Sequence, residues 1–227
     1  MLVAALVAAA FLSLGCQPAS QSASDATRST APPGAQTEAQ AKAGDVAAQL
    51  ALGRWHLGEA GQPRDYDQAA QWLALAAEAG KAEAQFLLGT LYEAGGGVEQ
   101  STTNALKWFQ LAAAQHHAGA LYNLGSMHAA GRGVPQDSAK AASYYQQAAE
   151  LGDPLAQFNM AQRCELGRGV GTNLIESWKW YELAQSGGVA DALRARQRLE
   201  SRLTPAQLLE ARLALKQFSR HSATPVK

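Results

Sequence analysis

Cysteine is nearly absent: Cys16 and Cys164 are the two in 227 residues, so the chain has no disulfide framework. If Cys16 is consumed as argued below, Cys164 stands alone; in a column otherwise His or aromatic, it reads as a small core residue rather than a reactive thiol. Net charge is absent too, with 19 basic and 19 acidic side chains, and no nucleic-acid partner is expected. Aromatic residues make up only 7%. Met1 to Gly15, MLVAALVAAAFLSLG, is apolar but shorter than the roughly 20 residues a spanning helix needs.

Catalytic motifs are missing as well. No G-x-S-x-G presents a nucleophile, and the glycine-rich stretches lack the GxxxxGK[ST] of a phosphate loop. His56 and His128 lie two repeats apart, on the order of 20 Å at about 10 Å per packed helix, too far to share a metal ion. His116 and His117 lack a third ligand at suitable spacing and read as satisfied or solvated histidines at a helix end. No catalytic, cofactor-binding or metal residue is expected.

Hydrophobic content is nonetheless 47%, carried mainly by alanine. Alanine is the best helix former and permits close helix approach, so an all-α fold follows. The zero charge conceals an asymmetry: residues 1–193 hold 11 basic and 17 acidic groups, residues 194–227 hold 8 and 2. A solvated basic helix face explains this; the alternative is a patch for an anionic partner.

The short apolar start has the length of a signal-peptide core. With Ser13-Leu14-Gly15-Cys16 after it, the N-terminus resembles the lipobox of bacterial lipoproteins. That resemblance implies a signal peptide over 1–15, lipid on Cys16 and, from Gln17 rather than aspartate, an outer-membrane lipoprotein facing the periplasm, with the membrane met only through the lipid. An ordinary secretory signal with an incidental cysteine is the competing reading. Residues 17–44 contain no large apolar side chain, which predicts a disordered tether across 16–44. As a flexible coil it would reach on the order of 30 Å.

The remainder repeats every 36 residues. Leu52-Gly53, Leu88-Gly89, Leu124-Gly125 and Met160-Ala161 are in phase. So are the columns Trp72, Trp108, Tyr144, Trp180 and Leu73, Phe109, Tyr145, Tyr181, with alanine columns beyond them. Such self-similarity marks a solenoid in which each unit buries its apolar face on its neighbours. The Leu-Gly pair sits on a first helix. Gly95-Gly96-Gly97-Val98 and its equivalents form the turn, and Asp65, Ser101, Asp137 or Asn173 caps a second helix whose Trp column should wedge between units. The pattern A-x-x-x-L-G…G-x-G-V-x-x-D-x-x-K-A, fitted best by Ala120 to Gly152, resembles the Sel1-like repeat family, a relative of the tetratricopeptide repeat. The resemblance implies a right-handed helical-repeat solenoid of four units over 45–191 and a non-enzymatic adaptor that holds a protein or peptide. Capping helices over 192–219 with a polar outer face and a disordered tail over 220–227 complete the expected organisation.

In such a stack the first helices line the concave groove. The positions two before and one after the column glycine share a side of each first helix, and they vary while the core columns do not. Arg54, Thr90, Asn123, Ser126, Asn159 and Gln162 are therefore the expected partner-binding residues, with Asn123 and Asn159 suited to an extended backbone. The competing reading is that they bond within the stack. A different functional class, an enzyme or enzyme accessory acting on peptidoglycan, finds no acid, base or nucleophile constellation in its support.

Overall fold

Asp45, Asp65, Ser101, Asp137, Asp153 and Asn173 each begin a helix, their side-chain oxygens accepting backbone N–H bonds at 2.7–3.2 Å. These caps satisfy donors that a helix start leaves orphaned, so helix entry is written into the sequence at every repeat. The structure, a computed structural model, describes residues 34–59, 61 and 63–222. The expected signal peptide, Cys16 and residues 223–227 lie outside the described residues.

All regular structure among the described residues is helical. A short α1 (Ala35–Lys42) precedes four helix pairs: α2 (Val46–His56) with α3 (Tyr66–Glu78), α4 (Ala82–Ala94) with α5 (Thr102–Ala113), α6 (Ala118–Ala130) with α7 (Ser138–Glu150), and α8 (Pro154–Leu166) with α9 (Leu174–Ser186). α10 (Ala190–Glu200) and α11 (Pro205–Ser222) follow. First helices start 36 residues apart, as do second helices. The chain divides into two compact units, Met1–Ala120 and Leu121–Lys227. In the first, α2 packs on α1 and α3, and α4 on α3 and α5; in the second, α8 packs on α7 and α9, and α9 on α10 and α11.

Two sequence columns explain each other. A Cβ added at Gly53 would fall 2.6 Å from the Leu73 side chain, at Gly89 2.7 Å from the Phe109 ring, and at Gly125 2.9 Å from the Tyr145 ring. The glycine of each first helix is thus the seat of a second-helix side chain 20 positions later, and that side chain is buried in every repeat. The Trp column was expected to be this wedge and is not. Trp72, Trp108 and Tyr144 are half-buried, and only Trp180 is buried. A ring one position along a helix turns by about 100°, which carries it off the seam.

The turns use glycine in two ways. Gly95 and Gly167 close their helices with left-handed φ of 73° and 67°. Gly97 and Gly169 instead press on backbone: a Cβ there would collide with the carbonyl of Tyr66 or Ser138, the first residues of α3 and α7. The second helices end in a repeated double bond, for example Gly80 N–H to the Ala77 carbonyl and Lys81 N–H to the Ala76 carbonyl, both 3.0 Å. His116 holds the glycine place after α5 at φ 58°, the one non-glycine among the described residues with positive φ. His117 then caps α6: its Nδ1 accepts the Ala120 N–H at 3.3 Å while its ring stacks on Phe86 at 4.5 Å. Burial lowers its pKa to about 4.

A further column went unread in the sequence. Buried Gln49, Gln85 and Gln157 each donate from Nε2 to the carbonyl eight residues back, those of Ala41, Ala77 and Ala149, at 3.0, 3.1 and 3.2 Å. Leu121 stands in their place in the third repeat. Ala41 belongs to α1, which corrects the tether expected to run to residue 44. Ala41 is 1% exposed and packs with Ala48, Leu52 and half-buried Trp72. Ala41 and Gly44 fall 36 residues before Ala77 and Gly80. α1 therefore holds the place of a second helix, and it docks with almost no large apolar side chain because the glutamine clamp and one alanine provide the contact.

The C-terminal caps start and end within a few residues of expectation, and Thr204 caps α11, accepting the Gln207 N–H at 3.3 Å and donating its own N–H to Gln207 at 2.9 Å. Ala192, Ala195, Leu199 and Ala211 are buried, while Leu203, Leu208, Leu215 and Phe218 are half-buried. The outer face is less polar than expected, since Leu209 and Leu213 stand 60% and 51% exposed.

Candidate partner-binding face

The six expected contact residues separate by environment. Thr90 is removed: it is buried, and its hydroxyl donates to the Leu87 carbonyl of its own helix at 2.6 Å. A β-branched hydroxyl in a helix finds the carbonyl of the preceding turn within reach, which is what bonding within the stack means here. Arg54 is engaged as well, held by Glu59 at 2.7 Å and by Glu83, from the next repeat, at 2.5 Å. It ties the first two repeats together.

The second unit keeps the other four. Asn123 is half-buried and its amide makes no hydrogen bond among the described residues. Gln162 is exposed. Asn159 donates from Nδ2 to the Leu155 carbonyl at 2.9 Å and is hydrogen-bonded to Tyr122. Ser126 accepts from Arg132 Nη2 at 3.0 Å and is hydrogen-bonded to Tyr145. Two of the four are thus partly committed to the fold.

Sequence reasoning missed the residues around them. Tyr122 and Tyr145 lie 5.6 Å apart ring to ring. Burial pushes the Tyr122 hydroxyl up to about 12 and raises that of Tyr145, so both are neutral donors at physiological pH. Arg163 lays its guanidinium 5.0 Å over the Tyr145 ring and donates from Nη1 to the carbonyls of Ser138 (3.2 Å) and Arg168 (3.0 Å). Desolvation lowers its pKa; Tyr145 opposes that and Arg168 adds to it. A signal was present: Trp55, Leu91, Met127 and Arg163 form one 36-residue column in which a charge replaces apolar side chains. Likewise Leu50, Phe86, Tyr122 and Phe158 form a column with one hydroxyl. The face presented by α6 and α8 in the second unit is thus the polar variant of a seam that the first unit fills with hydrocarbon.

Cys164 and three arginines of the basic end have structural roles. Cys164 is 5% exposed, and burial raises its thiol to about 11, which suits a core residue. Among the described residues no three His, Cys, Asp or Glu side chains are placed to hold a metal ion. Three arginines of the basic end are paired: Arg196 meets Glu182 and Glu200, while Arg198 and Arg202 converge on buried Glu165, at 3.7 and 2.5 Å. Glu165 also accepts from the Tyr181 hydroxyl at 2.9 Å. These three arginines lock the cap onto the last repeat rather than forming an open patch.

The model for the Sel1 repeat matches residues 46–81, 82–117, 118–153 and 154–188, well over half the chain. This is a Sel1-repeat protein. Among solved structures it is similar to c5321 of uropathogenic Escherichia coli, a protective antigen displaying an SLR fold, at 31% identity and a TM-score of 0.75. That match covers 82% of this chain and 40% of the E. coli chain, so this chain spans well under half of that relative's length. A Sel1 repeat protein from Oxalobacter formigenes is 26% identical with a TM-score of 0.65, covering 83% of this chain and 84% of its own. A comparison with curated proteins gives no match. The helical-repeat solenoid fold is thereby established, and Sel1-repeat proteins generally act as protein-interaction scaffolds.

Proposed function

We propose that this Sel1-repeat protein is a non-enzymatic adaptor, carried on the bacterial envelope by lipid at Cys16, that holds a protein or peptide against the α6 and α8 face of its second unit. The observation that supports this face above the others is the Asn123 amide. Half-buried and without a hydrogen bond among the described residues, it retains two donors and an acceptor, and Gln162 of α8 is exposed. A polar group left unsatisfied at a half-buried position costs free energy unless water or a partner meets it, and an extended backbone offers both bond types.

The envelope part rests on the sequence alone: a 15-residue apolar start followed by Leu14-Gly15-Cys16. Its test is fractionation of cells carrying Cys16→Ser. Loss of membrane association and of processing is expected; a variant that fractionates and is processed as wild type refutes the anchor. The binding face is tested by crosslinking in cells with Asn123→Ala combined with Gln162→Ala. Neither side chain makes a bond within the fold, so the helical circular dichroism and melting temperature should hold while captured partner falls. Undiminished capture removes this face from the function.

A further inference from the structure

α11 turns an apolar stripe to solvent. Leu209 and Leu213 are four residues apart and both more than half exposed. Arg212 and Lys216 are exposed as well, and the spacing of these four residues puts their side chains on one side of the helix. The helix cannot roll to hide them. Its inner side is fixed by buried Ala211 and by Phe218, whose ring meets Trp180 edge-on at 5.2 Å with Lys179 Nζ 5.3 Å from its centre. Half-buried Leu208 and Leu215 complete that side, so α11 docks on α9 without using Leu209 or Leu213. A solenoid end calls for a polar outer face, and these two leucines depart from it. Exposed basic side chains occur elsewhere in the second unit, as at Arg168 and Arg194; on α11 they stand in register with exposed leucines.

A protein partner matches this stripe poorly. A stable protein interface engages about 20–30 residues a side, and the stripe offers two leucines and two basic residues on a single helix. An anionic lipid surface asks for less: leucines that enter the headgroup boundary, and basic side chains that meet phosphates while their stems lie along the apolar layer. Among the described residues no helix is long and apolar enough to cross a membrane, which leaves α11 to lie along the surface. Glu210, the one acidic residue of α11, projects about 100° from Leu209, beside the stripe rather than on it. The whole chain is neutral, with 19 basic and 19 acidic groups, so attraction to an anionic surface needs a local source of this kind.

We propose that the outer side of α11 docks on an anionic phospholipid surface, with Leu209 and Leu213 in the headgroup layer and Arg212 and Lys216 on lipid phosphates. This contact is separate from the α6 and α8 face and does not require lipid at Cys16.

The test places an environment-sensitive NBD label at Leu213→Cys in the purified full chain carrying Cys16→Ser; Cys164 is buried and stays unlabelled. With vesicles of three parts phosphatidylglycerol to seven of phosphatidylcholine, emission should rise at least twofold and shift to the blue. With phosphatidylcholine alone it should change little, and added salt should reverse the gain. The same label at Leu151→Cys, an exposed leucine at the end of α7, should not respond. Arg212→Gln with Lys216→Gln should raise the lipid concentration for half-maximal response at least tenfold, and Leu209→Gln several-fold, each with helical circular dichroism and melting temperature unchanged. Lys107→Gln with Lys140→Gln, which removes the same charge elsewhere, should leave the response in place. A silent label at Leu213, or indifference to the Arg212 and Lys216 changes, overturns the proposal. So does an equal response to both vesicle types, which would make the contact apolar only, or an equal response at Leu151, which would locate it elsewhere. A response that grows with protein concentration in the absence of lipid also overturns it, and makes a second copy the occupant of this side.

Discussion

Gly152 and Gly169 both hold left-handed φ, 92° and 78°, but only one of them touches anything. A Cβ added at Gly152 meets no atom within 4 Å, so Gly152→Ala isolates the conformational cost. That cost is about 1–2 kcal/mol for an L-residue in the left-handed region, offset by about 0.4–1 kcal/mol because alanine restricts the unfolded chain. A net loss near 1 kcal/mol follows. At Gly169 the same strain applies, and in addition the methyl would occupy the space of the Ser138 carbonyl oxygen and carbon at the start of α7. Backbone cannot rotate away as a side chain can, so the turn must leave α7 by more than an ångström. Overpacking of that kind costs typically 1–3 kcal/mol and sometimes more, so Gly169→Ala should lose about 3–4 kcal/mol in all. Urea unfolding followed by circular dichroism gives both numbers, with an unchanged m-value confirming that the same surface unfolds. If Gly169→Ala falls within about 0.5 kcal/mol of Gly152→Ala, close approach contributes nothing, and the argument that the Gly-x-Gly turn exists to let one repeat press on the next is wrong.

His116→Gly should raise stability by about 0.5–1 kcal/mol, since it relieves the left-handed strain at φ 58° and alters no hydrogen bond; a destabilised variant contradicts the strain. Glu165→Ala should lose roughly 3 kcal/mol because it strands the Tyr181 hydroxyl and two guanidiniums, whereas Arg202→Ala, at a half-exposed partner, should lose no more than about 1 kcal/mol; equal losses would mean the network is not centred on Glu165. For His117 the folded pKa, about 4, lies below the ordinary 6.5, so the unfolded chain takes up the proton first. Its contribution is complete above pH 6.5 and is lost as pH falls toward 4, by up to about 3 kcal/mol. His117→Asn, a cap that does not titrate, should flatten that slope in thermal melts, and an unchanged slope would refute the assignment.

The 36-residue period made the helix pairs legible, because each core position recurs in chemistry that can be aligned by eye. Its strength is also where it misled. The Trp column and its neighbour are equally regular, yet Leu73, Phe109 and Tyr145 meet the glycine seat and Tyr181 is buried likewise; periodicity cannot tell two adjacent positions on a helix apart without knowing which side the partner helix takes. α1 was hidden for a different reason. Its docking depends on Ala41 and on a carbonyl that Gln49 grips, and backbone acceptors leave no mark in composition.

The binding face followed the same logic in reverse. Two columns that are apolar in most repeats contain the substitutions that change the chemistry: Arg163 where Leu91 and Met127 are buried, and Tyr122 where Phe86 is. Variation at surface positions is weakly constrained and says little, as exposed Gln162 illustrates. Variation inside a packing column is costly, since a guanidinium placed where hydrocarbon belongs must find ring faces and carbonyls to lie on, as Arg163 does with Tyr145, Ser138 and Arg168. In a repeat protein the other copies supply the reference against which such a cost is measured. The second unit therefore carries the stronger case for a ligand: its departures from the repeat, Tyr122 and Arg163, are polar and lie on α6 and α8.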